Sequence, residues 1–317
     1  MAPRRRIGKK LLKSFLPILL VLVLAVIIAL VSIIYGITRP PRRAYLVTPQ
    51  AFAQISGPAL RITDESWGNR DGTTARGWLL KGAPRAPAVV FLHRYGADRS
   101  WLFNLGVKLN ETAGFTILWP DLRGHGLNPP VNWTSFGTRE GDDLIAALRF
   151  LHTLKVGAGN LVGDHVGLYG VELGAYSALH AARDASGVQV LVLDSVPRNS
   201  DELLAAALRD DIGVDNRLLQ YLTRAAIRVY FIGKYDNVSA CELAALLKDQ
   251  RVVLLSGKDA GYLRDSTNAL RPCFQGTTLV EAKTDLPLTG YNLTAATGEQ
   301  GEGYDRQVID FFDRNLR

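Results

Sequence analysis

Short apolar segments that alternate with helical segments constrain the fold of this chain more than any other feature. Six such segments, each four to six residues long, occur after residue 87. They are mostly apolar throughout, which is typical of strands buried on both faces of a parallel sheet. Helical patterns separate or follow them, at residues 101–110, 139–153, 175–183, 242–248 and 304–314. The alternation predicts a doubly wound, mostly parallel α/β sheet.

Two further patterns complete the predicted domain, which we place at residues 60–317. Residues 60–66 and 74–81 alternate between apolar and polar side chains, as in a pair of antiparallel strands joined by a turn-rich link. Residues 200–235 interrupt the alternation and look like two helices inserted after the fourth buried strand. They would form a small helical cap over the carboxyl edge of the sheet, where ligands bind in such folds.

Three short motifs follow the first three buried strands in order. They are His93-Arg94-Tyr95-Gly96, Asp121-Leu122-Arg123-Gly124-His125-Gly126 and Gly170-Val171-Glu172-Leu173-Gly174. Together they resemble the α/β-hydrolase superfamily, specifically the single-domain esterase and lipase type with an oxyanion loop and a G-x-S-x-G nucleophile elbow. The resemblance runs from about residue 60 to the end of the chain. It implies that His93, Arg94, Tyr95, Gly96, Leu173 and His125 line the oxyanion loop or the pocket.

The third motif departs from the family at its central position. Gly170 and Gly174 are present and permit the sharp strand-to-helix turn, but Glu172 stands where the family has its nucleophilic serine. Three roles for Glu172 stay open: an ordinary polar residue under the cap, a carboxylate that helps to bind a ligand, or a catalytic carboxylate.

The other two members of the implied triad are also altered. The family acid follows the next-to-last strand, where Ala260 fills the expected place and Asp259 comes one residue early; Asp194, after the preceding strand, is the alternative acid. The family histidine follows the last strand, and Tyr291 occupies that position. No histidine occurs after His180. A phenol with a pKa of about 10 is a poor base at neutral pH, so the triad is predicted to be degenerate.

His93 and His125 are the two histidines expected near the same edge of the sheet. One interpretation is architectural, with both side chains holding loop backbones by hydrogen bonds. The other is a rewired catalytic pair between Glu172 and one of them.

Residues 15–37 contain no charge and are rich in Leu, Val and Ile. At 1.5 Å per residue they reach about 34 Å, enough to span a hydrocarbon core of about 30 Å. We therefore predict a basic tail (residues 1–14), a membrane-spanning signal anchor (15–37) that contacts the lipid bilayer, and a linker (38–59). Six basic residues precede the span and three follow it, which favours a cytoplasmic N-terminus and a periplasmic or extracellular domain.

The net charge of +7 belongs to this N-terminal region. Residues 1–43 hold nine basic and no acidic residues, and the remaining residues hold 28 basic against 30 acidic ones. A folded part with this balance does not indicate nucleic-acid binding.

The chain has two cysteines, Cys241 and Cys273, and the sequence leaves open whether they form a disulfide or stay as free thiols. No Cys/His cluster has metal-ligand spacing, so we expect no metal and no cofactor.

These observations favour a membrane-anchored hydrolase-fold protein that has lost catalysis and binds a small apolar ligand or a protein partner. Two alternatives remain: a non-serine hydrolase that uses Glu172 as nucleophile or acid/base, and an accessory subunit of a membrane complex.

Overall fold

The computed structural model describes residues 4–56 and 62–317. The start of the predicted basic tail and the predicted boundary between linker and domain, at residues 59 and 60, lie outside these residues. Ten helices longer than one turn are described: α1 (Arg4–Ile37), α2 (Pro49–Ser56), α3 (Phe103–Ala113), α4 (Thr138–Thr153), α5 (Leu173–Asp184), α6 (Ser200–Ile212), α7 (Arg217–Tyr230), α8 (Ala240–Ala245), α9 (Leu263–Leu270) and α10 (Gly298–Leu316).

The described strands are β1 (Ile62–Gly68), β2 (Thr74–Leu80), β3 (Ala86–Leu92), β4 (Thr116–Pro120), β5 (Lys155–Val156), β6 (Gly159–Asn160), β7 (Val162–Val171), β8 (Val188–Asp194), β9 (Arg251–Gly257) and β10 (Leu279–Leu286). Eight of them form one sheet in the order β1-β2-β4-β3-β7-β8-β9-β10, and β5 and β6 form a separate hairpin. The strands from β4 to β10 in this order run parallel, while β1 and β2 pair antiparallel. The doubly wound, mostly parallel sheet is confirmed.

Alternate residues of the central strands pack into two separate hydrophobic cores, one on each face of the sheet. In β3, Val90 and Leu92 pack with α4 and α5, whereas Val89 and Phe91 pack against residues of α3 and α10. Both sets are fully buried. Burial on both faces explains why these strands are apolar at every position rather than at every second one.

The cap consists of α6 and α7, which lie between β8 and α8 as expected. Asn199 and Asn216 begin the two helices, and their side chains accept hydrogen bonds from the backbone N–H groups of Glu202 and Leu219. These two side chains thus bind backbone N–H groups that have no partner inside a helix.

The described part of the predicted linker packs on the domain. Thr38 is fully buried, Pro49–Ser56 forms α2, and the Phe52 ring packs edge-on against Phe103 at 5.1 Å. Tyr45 donates a 2.7 Å hydrogen bond to Asp121. Aromatic contacts and the hydrogen bond of the half-buried Tyr45 therefore fix the described part of this segment to the domain surface.

Helix α1 includes Phe15–Ile37, a stretch of 23 residues that is long and apolar enough to cross a membrane. The helix already begins at Arg4, so most of the predicted tail continues the same helix. The two cysteines form a disulfide between α8 and the short turn after α9, which resolves the alternative that the sequence leaves open.

Candidate functional site

The turn between β7 and α5 places Glu172 at the carboxyl edge of the sheet. Glu172 has φ 51° and ψ −108°, a left-handed conformation that is strained for a residue with a side chain. A Cβ on Gly170 would lie 2.5 Å from the Gly174 carbonyl carbon, and one on Gly174 would lie 2.2 Å from Leu92 O. Only glycine permits strand and helix to approach this closely, so the local geometry is that of a nucleophile elbow.

The Glu172 carboxylate is buried and bound by a backbone amide. The residue is 3% exposed, and Tyr95 N–H donates a 2.8 Å hydrogen bond to Glu172 Oε2. Tyr95 lies in the loop after β3, and in the α/β-hydrolase fold an amide from this loop and the amide that follows the nucleophile form the oxyanion hole. In active enzymes of this fold an amide of this loop stabilises the substrate oxyanion, whereas here the Tyr95 amide binds a carboxylate.

The Tyr95 side chain connects this loop with the end of α1. Its ring stacks on Phe136 at 5.8 Å, and its hydroxyl donates a 2.7 Å hydrogen bond to Ile37 O. One residue therefore joins the Glu172 carboxylate, through its amide, to the apolar helix, through its hydroxyl.

Arg94 lies between two aromatic rings above the site. Its guanidinium carbon is 4.6 Å from the centre of the Tyr291 ring and 4.9 Å from the Trp101 ring. Cation–π contacts of this kind hold a ring in place and favour the cation. Gly96 closes the loop at φ 70°, in the left-handed region that glycine tolerates.

Asp194, the alternative triad acid, is fully buried and lies at the end of β8. Its carboxylate accepts hydrogen bonds from the Ser195 hydroxyl at 2.6 Å, from Gly290 N–H at 2.8 Å and from the Tyr304 hydroxyl at 2.5 Å. Burial raises the pKa of Asp194 to about 6, although these hydrogen bonds oppose the shift. The acid therefore anchors the loop that carries Tyr291.

Asp259 holds the same loop from the other side. Its Oδ2 accepts hydrogen bonds of 2.9 Å from both the backbone N–H and the hydroxyl of Thr289, and its carbonyl accepts one from the Asn292 amide at 2.8 Å. Both candidate acids thus bind backbone next to Tyr291.

His93 bridges two loops at the edge of the sheet. Its Nε2 accepts a 3.0 Å hydrogen bond from Leu122 N–H, so the proton is on Nδ1, which donates to Arg94 O at 2.8 Å. Burial is the main cause that lowers the pKa of His93 to about 4. Both ring nitrogens of the neutral side chain are occupied by backbone groups.

His125 is also buried and holds its own loop. Its Nδ1 lies 2.9 Å from Arg123 O, and Nε2 has no hydrogen-bond partner among the described residues. Burial, followed by the neighbouring His93, lowers the pKa of His125 well below its usual range. The two rings are 5.1 Å apart, and neither makes a hydrogen bond with Glu172.

Two tyrosines that the sequence did not single out belong to this region. Tyr304 donates to Asp194 and lies 2.7 Å from the Tyr169 hydroxyl. Burial, followed by the Glu172 carboxylate, raises the pKa of Tyr262 above its ordinary value. Neither residue belongs to one of the three sequence motifs, so the sequence did not indicate a place for either in this region.

A polar cavity of about 330 Å³ lies beside the loop that carries His125. Residues of β1, β2 and that loop line it, and Glu172 is not among its lining residues. Within residues 4–56 and 62–317, no group of three or more His, Cys, Asp or Glu side chains is placed to hold a metal ion.

Several solved structures share this architecture. The esterase Pf2001 from Pyrococcus furiosus superposes with a TM-score of 0.68 at 19% identity, covering 89% of this chain and 100% of that one. The alpha/beta hydrolase GrgF from Penicillium sp. sh18 superposes with a TM-score of 0.57 at 16% identity, covering 81% of this chain and 99% of that one. No model of a protein family matches the sequence, and no curated protein matches it.

The chain therefore has the α/β-hydrolase fold, and the resemblance carried by the three motifs is confirmed at the level of the fold. What the site does chemically depends on its own residues.

Proposed function

We propose that this chain is a membrane-anchored α/β-hydrolase-fold protein that has lost ester hydrolysis and acts by binding a partner. The hydrogen bond from Tyr95 N–H to Glu172 Oε2 carries the proposal. It places a buried carboxylate where ester hydrolysis requires hydrogen-bond donors that stabilise a developing negative charge.

Electrostatics explains why this arrangement opposes catalysis. A preformed oxyanion hole lowers the barrier because its donors face the charge that develops in the transition state. Here one donor already binds an acidic side chain, and a second negative charge beside a buried carboxylate would be repelled. Glu172 would have to leave the amide before a substrate carbonyl could enter.

Four of the five groups that could activate a nucleophile or a water molecule are engaged elsewhere, and the fifth, His125, makes no hydrogen bond with Glu172. Tyr291 stacks under Arg94, Asp194 and Asp259 bind the backbone next to it, and His93 uses both ring nitrogens. A carboxylate nucleophile still needs an activated water to release its covalent intermediate. This arrangement supports loss of turnover rather than a change of nucleophile.

Anchoring through residues 15–37 is part of the proposal. The length and apolarity of this stretch support a membrane span. The excess of basic residues before it supports a cytoplasmic N-terminus and an extracytoplasmic domain. The Cys241–Cys273 disulfide supports the same side, because such bonds persist in oxidising compartments.

The closed elbow favours a protein partner over a small substrate, since Glu172 is almost fully shielded from solvent. A role as an accessory subunit of a membrane complex is one form of this proposal. It predicts that specific membrane proteins co-purify with the full chain after mild detergent extraction.

The alternative use of Glu172 as a nucleophile has a direct test by intact-protein mass spectrometry. The full chain in detergent would be incubated with a panel of p-nitrophenyl esters, alkyl halides and epoxides. We expect no change in mass, because the carboxylate is buried and held by the Tyr95 amide.

Glu172→Gln is the matched control, because it keeps the shape of the side chain and removes its nucleophilic charge. A covalent adduct that maps to Glu172 in the wild type and is absent from this variant would overturn the proposal.

A further inference from the structure

Helix α7 exposes a row of large apolar side chains. Leu218 is 66% exposed, Tyr221 67%, Val229 70%, and Ile232, just after the helix, 79%. Water-soluble surfaces rarely carry such a contiguous apolar patch without a partner that covers it.

The helical period places this row opposite the face that packs on the domain. Leu218, Tyr221, Ala225, Val229 and Ile232 are separated by three or four residues and so share one side of the helix. The opposite side carries the three buried residues Gln220, Thr223 and Ile227. The helix is therefore apolar on its outward side, although its inward side already contacts the core.

The end of α1 packs directly on this cap. Ile34 and Ile37 are buried in the same cluster as residues of α6 and α7, and Ile33 is half-buried beside them. These residues are spaced as one face of the last two turns of α1. The apolar helix thus enters the domain at the cap, without a free linker between them.

Two hydrogen bonds to backbone carbonyl groups hold the end of α1 against the domain. The Tyr95 hydroxyl donates to Ile37 O at 2.7 Å, and Thr134 N–H donates to Thr38 O at 2.9 Å. These bonds tie the end of α1 to the body of the domain, while its packing against α6 and α7 holds it to the cap.

The length of the membrane span determines how close the cap lies to the membrane boundary. A hydrocarbon core of about 30 Å takes about 20 helical residues, so a span that begins at Phe15 reaches the membrane boundary near Ile34. The residues of α1 that contact the cap, from Ile33 to Ile37, lie at that boundary. Helix α7, which packs against these residues, must then also lie at the membrane boundary.

Three arginines complete the pattern on α7. Arg217, Arg224 and Arg228 are spaced by seven and four residues and follow one edge of the exposed apolar row. Arg228 pairs with Asp201 of α6 at 2.8 Å, which leaves Arg217 and Arg224 for other partners. Long basic side chains at such an edge can extend toward lipid phosphates while their stems lie on apolar surface.

From these observations we infer that α7 lies in the interface of the same bilayer, with its outward apolar row inserted among the acyl chains and Arg217 and Arg224 at the phosphates. Interfacial helices of this kind bury their apolar face about 5–10 Å into the boundary between headgroups and chains. The inference rests on the proposed membrane anchoring. It assigns the cap a role as a second membrane contact that holds the domain against the lipid surface.

Fluorescence quenching in vesicles tests the inference on the full chain. Both cysteines are in the disulfide, so a single added cysteine can carry an environment-sensitive fluorophore. We would label Val229→Cys on α7, Leu22→Cys in the middle of the span, and Val156→Cys in the β5–β6 hairpin before the start of β7. Each variant would be reconstituted in phosphatidylcholine–phosphatidylglycerol vesicles with either lipid-borne spin labels or aqueous iodide as quencher.

We expect lipid-borne quenchers to act on the labels at Leu22 and Val229, and iodide to act on the label at Val156. If Leu22 is quenched from the lipid and Val229 only by iodide, the anchor stands and the inference about α7 fails. If Leu22 is not quenched from the lipid, the anchoring proposal fails and the inference fails with it. Protection of Val229 from both quenchers would mean that a second copy or another protein covers α7, which would also overturn the inference.

Discussion

Glu172 combines two properties at the elbow. Its backbone adopts the strained conformation that presents a nucleophile, with φ 51°, while its side chain turns onto an amide of the oxyanion loop. The strain of such a residue amounts to about 1–3 kcal/mol. The charge-assisted hydrogen bond from Tyr95 offsets part of it.

Replacement of Glu172 tests whether the rest of the site is competent. Glu172→Ser should remain inactive, because Tyr291 cannot act as its base near neutral pH. Adding Tyr291→His supplies a base beside Asp194, and we expect the double variant to hydrolyse p-nitrophenyl acetate about 10²-fold faster than the single variant. Equal rates in the two variants would show that the pocket lacks more than these two groups.

His180 should make the fold sensitive to acid. It is buried on α5, and burial is the main cause that lowers its pKa from 6.5 to about 4. A lowered pKa means that the unfolded chain binds the proton first, so stability is lost as the pH falls from 6.5 toward 4. We expect this residue to contribute a loss of about 2 kcal/mol between pH 7 and pH 5.

Urea unfolding of the full chain at the two pH values measures this loss. His180→Gln should reduce the difference, whereas His152→Gln, at an exposed position on α4, should leave it unchanged. Unfolding curves that shift with pH equally in His180→Gln and wild type would contradict the assignment.

At the scale of elements, the elbow is a tight junction between β3, β7 and α5. Gly174 sits against the backbone of Leu92, and a side chain there would meet backbone that cannot move without shifting a central strand. The loop that carries Tyr291 is a second junction, held by Asp194 and Asp259. Both junctions are built from backbone contacts rather than from exposed reactive groups.

Gly174→Ala should therefore destabilise the domain by about 1–3 kcal/mol, because the added methyl group overpacks the junction. Gly298→Ala is the matched control, since no heavy atom lies within 4 Å of the added carbon. Thermal or urea unfolding of the two variants measures the effect. The prediction fails if Gly174→Ala unfolds at the same denaturant concentration as Gly298→Ala.

At the scale of the whole molecule, the sequence was sufficient to predict the strands of the sheet but not the contacts at the candidate site. All eight strands of the main sheet were predicted, six from short, mostly apolar runs and two, β1 and β2, from alternation of apolar and polar residues. Helix α2 was missed because its two turns depend on packing, such as that of Phe52 on Phe103, rather than on propensity.

The candidate site shows the same limit. The resemblance to the α/β-hydrolase motifs singled out Glu172, Tyr291 and Gly174. The hydrogen bond between Glu172 and Tyr95 joins residues 77 positions apart, and no periodicity encodes it. The pairing of Cys241 with Cys273 was likewise open until the fold brought α8 next to the turn after α9.

The rate at which the purified full chain hydrolyses a p-nitrophenyl ester tests the central claim most directly. It would be measured in detergent at neutral pH, with Glu172→Gln purified in parallel. Because the Glu172 carboxylate accepts the hydrogen bond of the Tyr95 amide and no histidine follows His180, the wild-type rate should equal that of Glu172→Gln and not exceed the rate in buffer. Turnover by the wild type that disappears in Glu172→Gln would contradict the account.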